Sequence, residues 1–481
     1  MKLFTTALRG TGLVALAALG LLASCNKSNE EVELSTPPLS VGHPVNNSAP
    51  IGGPIKGTMQ QDLEYNVTAD VFVNAGDTLV IQPGVKVNFL GNFNFIIKGT
   101  LLSLGSQAKP VYFRAKNATT NTVVAHTDQV SADPATDPAY QGLWGGILGD
   151  VTCPLMVLKW THVEFGGGTV VVSPVSAGIA NNKNTYPIFF QNPLGAFILE
   201  DSWVYGATDD PIRVLGGRIQ VMRNTFEKGG KTGGESLNIK SGTTGNIAYN
   251  LFVGTATNGS KASNNGGKNP QTNIYMYNNT YIHCGFRRNS AGRGGSINYE
   301  EGSRGVYYNN LMVNCKYGPR VVGSGNYLGN VLVVADTANL RYGYSLNYVD
   351  SLALANEIYP TAFLTKPQAT DIPLPSSWLP AGYRLGQVYT APQSLLRANN
   401  PQFVNFPLPA PVRRLADVNT VGTYNFHLLA SSPALGKGYT GFQPLATSPA
   451  IPVNANFGAT AITLPSRDLG AYPSDNSGNQ H

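Results

Sequence analysis

The chain has 481 residues, with 33 Lys and Arg against 27 Asp and Glu, and charged residues make up only 12% of it. With Lys2 and Arg9 of the leader set aside, 31 basic residues face those 27 acidic ones, so the remainder is near charge balance and nothing in it demands a nucleic acid partner. The 54 Gly and 32 Pro describe many short strands and turns and exclude a bundle of amphipathic helices.

Residues 1–24 read as a lipoprotein signal peptide: Lys2 and Arg9, an apolar run from Leu13 to Ala23, then Leu22-Ala23-Ser24-Cys25 as a lipobox. The run is shorter than the roughly 20 residues that cross a bilayer. Cys25 is therefore expected to carry lipid and to be the chain's only hold on the membrane. Polar Asn26 to Glu31 and the prolines 37, 38 and 44 predict a flexible tether over residues 25–56. Glu30-Glu31 behind the lipidated cysteine resembles the export tag of Gram-negative surface lipoproteins, which implies an outer-membrane, surface-exposed location.

From residue 57 short β-rich runs follow one another: Val71-Phe72-Val73, Leu79-Val80-Ile81, Val85 to Phe89, Phe95 to Ile97 and Val111-Tyr112-Phe113. Asn74-Ala75-Gly76-Asp77, Pro83-Gly84 and Lys109-Pro110 cut them. Trp144-Gly145-Gly146-Ile147 predicts a close backbone passage ahead of a strand. Downstream a unit recurs: apolar alternation, Asn or a small polar residue, an aromatic or β-branched pair, then Gly. Its polar positions are Thr161, Ser202, Asn224, Asn250, Asn279, Asn310 and Asn330, at steps of 41, 22, 26, 29, 31 and 20 residues. Constant strands with elastic turns predict an all-β solenoid, a single right-handed parallel β-helix over residues 57–340. Asn224, Asn250, Asn279 and Asn310 are expected to form a ladder at one corner, bonding from rung to rung through their amides while their backbone tolerates the left-handed region.

Residues 341–481 predict late rungs, a short helix from Val349 to Pro360 with Asp350 as N-cap, and a Pro-rich C-terminal wrap. Cys153, Cys284 and Cys315 are odd in number and lack CxxC spacing, so neither a disulfide framework nor a zinc site is indicated.

Asn400-Pro401-Gln402-Phe403-Val404, Tyr424 to Leu428 with Ser432-Pro433-Ala434-Leu435, and Asp468-Leu469-Gly470-Ala471-Tyr472 resemble the closing pattern of pectin-lyase-like β-helix proteins. That implies a coil running nearly to the C-terminus. Gly76-Asp77-Thr78-Leu79, Pro83-Gly84-Val85, Lys98-Gly99-Thr100-Leu101, Trp144-Gly145-Gly146, Gly166-Gly167-Gly168 and Asp209-Asp210 followed by Gly216-Gly217 resemble uncharacterised β-helix lipoproteins of Gram-negative bacteria. These are Gly and turn residues, so the resemblance speaks for fold more than for chemistry. Where that family implies a second acidic pair, this chain has Gly233-Gly234-Glu235-Ser236-Leu237-Asn238.

Rungs about 4.8 Å apart present side chains in step with an extended polymer, which makes polysaccharide the first ligand class to consider. Arg223, Lys228 and Lys231, then Arg287, Arg288 and Arg293 two rungs on, are the expected binders of an acidic glycan if their loops share one side as a basic wall. Solvated turns with local ion pairs to Glu300 and Glu301 are the competing reading. Asp209 and Asp210 fit either calcium ligands or turn caps. A lyase-like cleavage would need a base and a cation converging in one groove, whereas the Gly-His-Gly and Arg-Ile-Lys partners of the pectin hydrolases are absent. The expectation is a monomeric, glycan-binding envelope protein. The alternatives are a non-catalytic adhesive scaffold and a partner of an uptake complex docking through Trp203 and Tyr205.

Overall fold

The computed structural model describes residues 39–126, 134–264, 269–288, 294–322, 327–328, 331–332, 336–357, 396–408, 424–454 and 460–481. The signal peptide, Cys25 and the start of the tether lie outside these residues.

The chain is a parallel β-helix in which each coil lays down three short strands. The first ladder climbs through Gly57–Met59, Thr78–Ile81, Thr100–Leu104, Leu155–Lys159, Ala196–Glu200, Arg218–Met222, Thr244–Ala248, Asn273–Tyr277, Arg304–Tyr308 and Leu340–Gly343. The second starts in Glu64–Val73 and passes through Lys86–Phe89, Val111–Ala115, Thr161–Gly166, Trp203–Ala207 and Thr225–Glu227 to Leu346–Tyr348. The third starts in Ile51–Pro54 and passes through Ile147–Gly149, Ile212–Leu215, Leu237–Lys240, Asn258–Ser263 and Gly295–Glu300 to Arg320–Val322.

Alternation decides which residues fill the coil. In Val111–Ala115, Val111, Phe113 and Ala115 join the core while Tyr112 and Arg114 stay half-exposed. Because every coil repeats the last, inward rings meet their own kind one rung up: Phe226, Phe252 and Tyr281 stack at 4.9 and 4.8 Å. Each such burial stabilises the coil by about 1.5–3 kcal/mol. Trp144 is also inside, stacked 4.0 Å from Phe89. The glycines beside it are required for contact: a Cβ on Gly145 would lie 1.9 Å from the Asn94 side chain, and one on Gly146 1.9 Å from the Tyr186 carbonyl.

The expected ladder runs along the corner between the first and second strands. Asn224 Nδ2 donates to Asn250 Oδ1 at 2.9 Å, Asn250 to Asn279 at 3.0 Å and Asn279 to Asn310 at 3.1 Å. Each Oδ1 also accepts the backbone N–H of the rung below. Ser103, Thr161 and Ser202 continue the file downward, and the Ser345 hydroxyl accepts the Asn310 N–H at its upper end. One detail differs from expectation. The left-handed backbone belongs to the residue before each rung position, namely Trp160, Asp201, Arg223, Tyr249, Asn278, Asn309 and Tyr344. The bend comes first, so that the ladder residue can aim both its N–H and its amide along the stack. Such a conformation costs about 1–2 kcal/mol, which the buried ladder bonds offset. Ser345, not Asn330, occupies the seventh place; Asn330 lies outside the described residues, between Tyr327–Leu328 and Val331–Leu332, which pair antiparallel.

Two boundaries also shift. Residues 39–56, expected within the tether, are tied to the first coil: Gln82 Nε2 donates to the Leu39 carbonyl at 3.0 Å, Val41 N–H to Thr58 at 2.8 Å, and Ile51–Pro54 pairs in the third ladder. Leu39 and Val41 pack on Val80 and Leu102, so apolar contact outweighs the local Pro and Gly content. At the other end the parallel coil stops at Leu346–Tyr348 among the described residues, rather than continuing nearly to the C-terminus. Phe403–Asn405 and Asn425–Leu428 pair antiparallel instead. The helix is Leu352–Glu357, capped by the Ser351 hydroxyl, which accepts the Leu354 N–H at 3.2 Å. Asp350, the expected cap, accepts the Asn314 amide at 2.7 Å.

The final segment runs back across the outside of the first ladder, meeting one polar side chain after another. Asn309 exchanges two bonds with Tyr439, Asn246 two with Leu445, Tyr277 donates to the Thr463 carbonyl and Asn278 to that of Asp468. Arg223 reaches Thr460 and Thr463, and Asn479 donates to the Asn224 carbonyl at 3.0 Å.

Candidate functional site

Of the basic residues predicted to form one wall, Lys228, Lys231, Arg287 and Arg288 share the corner that follows the second ladder and Arg223 stands at another, but Arg223, Lys228 and Arg287 are already engaged. Arg223 grips Asp201 through two bonds of 2.7 and 2.9 Å beneath the C-terminal segment. Lys228 is buried with Asp137 at 2.9 Å. Arg287 lies over the Tyr140 ring at 4.6 Å and caps the carbonyls of Gly229, Gly230, Lys231 and Gly254. Lys231 and Arg288 are half-exposed near this corner. Arg293 lies outside the described residues. A guanidinium satisfied by backbone carbonyls or a carboxylate has little left for a sugar acid.

Asp209 and Asp210 sit in the turn between a second-ladder and a third-ladder strand. Asp210 is buried and fully engaged, accepting from Arg213 at 2.6 and 2.9 Å, from the Glu235 N–H at 2.8 Å and from Asn238 at 2.7 Å. Burial works against its charge, but Arg213 and these donors hold the carboxyl below its usual range. Burial, with Asp210 adding, pushes Asp209 up to about 6, and burial pushes Glu235 up to about 7 against the pull of Lys261. Arg213, Asn238, Lys261, Asn298 and Arg320 form one outward file on this face. Lys261 bridges Glu235 at 3.5 Å and Glu300 at 2.5 Å, and Arg320 reaches Glu300 at 3.2 Å. Asp210 thus belongs to an ionic network internal to the protein. Among the described residues no group of three His, Cys, Asp or Glu side chains is placed to hold a metal ion.

The outward file of the second ladder is different. Tyr112, His162, Trp203 and Thr225 succeed one another in register. With Trp160 and His481 they line a cavity of about 410 Å³, whose rim adds Gln107, Pro110 and Gln480. Tyr112 and His162 lie 4.7 Å apart, His162 and Trp203 5.4 Å, and Trp160 and His481 5.3 Å. Beside it Glu164 meets His126 at 3.3 Å and His162 at 3.7 Å. Burial opposes the Glu164 charge, yet His126 and His162 bring its carboxyl down to about 2. Burial lowers His481 to about 4, so it is neutral at physiological pH. His126 stacks flat on Tyr205 at 3.7 Å, which removes Tyr205 from the surface while Trp203 stays half-exposed.

The described residues that line this cavity therefore present ring faces with a few hydrogen-bonding edges, and no Lys or Arg is among them. Of its residues, only Trp203 stood out in the sequence as a contact. Tyr112, His162 and Trp203 lie in three different stretches, and their adjacency exists only once the rungs are in register. Comparison with protein-family models, with curated proteins and with solved structures finds no match to this chain.

Proposed function

We propose that this protein is a cell-envelope lipoprotein, anchored through Cys25, that binds extracellular polysaccharide in the ring-lined cavity of the second ladder. The observation that carries the reading is the row Tyr112, His162 and Trp203 on consecutive rungs, closed by Trp160 and His481 around about 410 Å³. A pyranose has an apolar C–H face and a hydroxyl edge, and concave sites with aromatic faces and a few polar groups suit such a ligand. Rungs about 4.8 Å apart let successive sugars meet successive side chains. The site replaces the basic loops as the favoured contact.

A second reading, an adhesive scaffold without a glycan site, is favoured by the engagement of Arg223, Lys228 and Arg287 within the protein itself. Titration of the mature protein against a panel of neutral and acidic polysaccharides separates the two. Saturable binding that Trp203→Ala weakens supports the glycan reading, and no binding across the panel leaves the scaffold.

A further inference from the structure

Two of the three described cysteines meet inside the coil, near its upper end. Thr280–Ile282 and Leu311–Val313 pair in parallel, with Ile282 opposite Val313. The register continues past both strands: the His283 N–H donates to the Val313 carbonyl at 3.0 Å and the Lys316 N–H to the Cys284 carbonyl at 2.9 Å, which sets Cys284 opposite Cys315. The residue before each cysteine takes the same left-handed bend, His283 at φ 53° and Asn314 at φ 50°. Both cysteines therefore leave the bend in one direction, and both side chains are buried in the core of the coil.

Residues opposite one another on adjacent rungs are about 4.8 Å apart, within the roughly 4.4–6.8 Å that separates the Cα atoms of a disulfide. The two thiols also interact directly. Burial opposes the Cys284 charge, yet donation from Cys315, Thr255 and the Gly254 N–H holds that thiol below its ordinary value. Burial raises Cys315, and its bond to Cys284 raises it further. Cys153 has no such companion. It lies on an earlier coil beside Gly149, Asn192 and Gly195, where burial pushes its thiol up to about 12. The position of the pair has a structural meaning as well. Above Leu311–Val313 the second ladder has one further strand, Leu346–Tyr348, among the described residues. Coils in a stack are stabilised by their neighbours, so the last ones have the least support and gain the most from a covalent tie.

We infer that Cys284 and Cys315 are a redox-modification site, closing to a disulfide that staples the uppermost coils of the helix together. The reaction takes a small disulfide as oxidant. One protein thiolate attacks a sulfur of the oxidant, breaking its S–S bond and releasing one thiol; the second attacks the mixed disulfide so formed and releases the other. The protein gives up two protons and two electrons, and the oxidant leaves as two thiols. Because both cysteines are buried in the finished coil, the exchange takes place while the upper coils are still open. That the bond forms in the cell rests on the envelope reading above, since an exported chain meets oxidising conditions and a cytosolic one does not.

The test refolds the reduced protein from urea in the presence of oxidised glutathione, alkylates the remaining thiols and maps the peptides by mass. The peptide bearing Cys284 should be joined to the one bearing Cys315, with Cys153 alkylated. Both cysteines alkylated, or a principal link to Cys153, overturns the inference; this measurement needs no variant. The linked protein should unfold at a higher urea concentration than the same protein after reduction, and the double variant Cys284→Ala, Cys315→Ala should unfold at one concentration with or without reductant. An unfolding midpoint of the linked protein that reduction does not lower overturns the stapling role. A second arm recovers the exported protein from the cell envelope and alkylates it at once. The link is expected there too. Protein that links on refolding but is recovered from cells with both thiols free leaves the pairing intact and removes the envelope reading.

Discussion

The outer faces of the second and third ladders share one geometry and put it to opposite uses. On the third ladder the file Arg213, Asn238, Lys261, Asn298 and Arg320 is knitted to Asp210, Glu235 and Glu300, so nearly every charge meets another from the same molecule. On the second, Tyr112, His162 and Trp203 face a cavity. Charge density alone is thus a poor guide to a binding face in this fold. What matters is whether the rung above or below supplies the partner.

The contrast can be broken most decisively at Asp210. Asp210→Ala takes the carboxylate from the half-exposed Arg213 guanidinium and removes the acceptor of the buried Glu235 N–H and Asn238 amide, and should cost about 1–3 kcal/mol of stability. A loss below about 1 kcal/mol in denaturant unfolding would show that the third-ladder network is not structural. Trp203→Ala should instead weaken glycan binding by up to about ten-fold, since an aromatic contact contributes roughly 0.5–1.5 kcal/mol, and should move the unfolding midpoint far less than Asp210→Ala does. A variant that unfolds as readily as Asp210→Ala would place Trp203 in the structural class.

A smaller effect should appear with pH. Asp209 and Glu235 bind their protons more tightly folded than unfolded, at about 6 and about 7, so they favour the folded state at low pH and that contribution is lost as pH rises through those values. His481, lowered to about 4, works in the other direction and loses its contribution as pH falls from its ordinary value toward 4. Comparing wild type with Glu235→Gln isolates the first effect: wild type should lose on the order of 1 kcal/mol relative to the variant between pH 5 and pH 8. Parallel stability curves across that window would remove Glu235 from the account.

The coil itself was legible because its rules are local. Alternation marks what goes in, Asn at a repeated spacing marks the corner, and Gly145 and Gly146 mark a close passage that tolerates no Cβ. The sites were less legible because they are made between rungs. Nothing near Arg223 in the chain announces Thr460 and Thr463, and nothing near His162 announces His481. The loops that separate the rungs differ in length, so register, and with it the identity of each vertical neighbour, comes from packing inside the coil. The same holds for the left-handed corners: sequence marks Asn224 and Asn250 as special, but the strain sits on Arg223 and Tyr249 before them.

The returning C-terminal segment touches Asn309, Asn278, Asn246, Arg223 and Asn224, polar groups set on successive coils. It can engage all of them together only when each coil has landed on the right one beneath it. A slip by a single turn anywhere in that stretch would leave its amides facing the wrong partners, so the segment acts as a ruler laid along the finished stack.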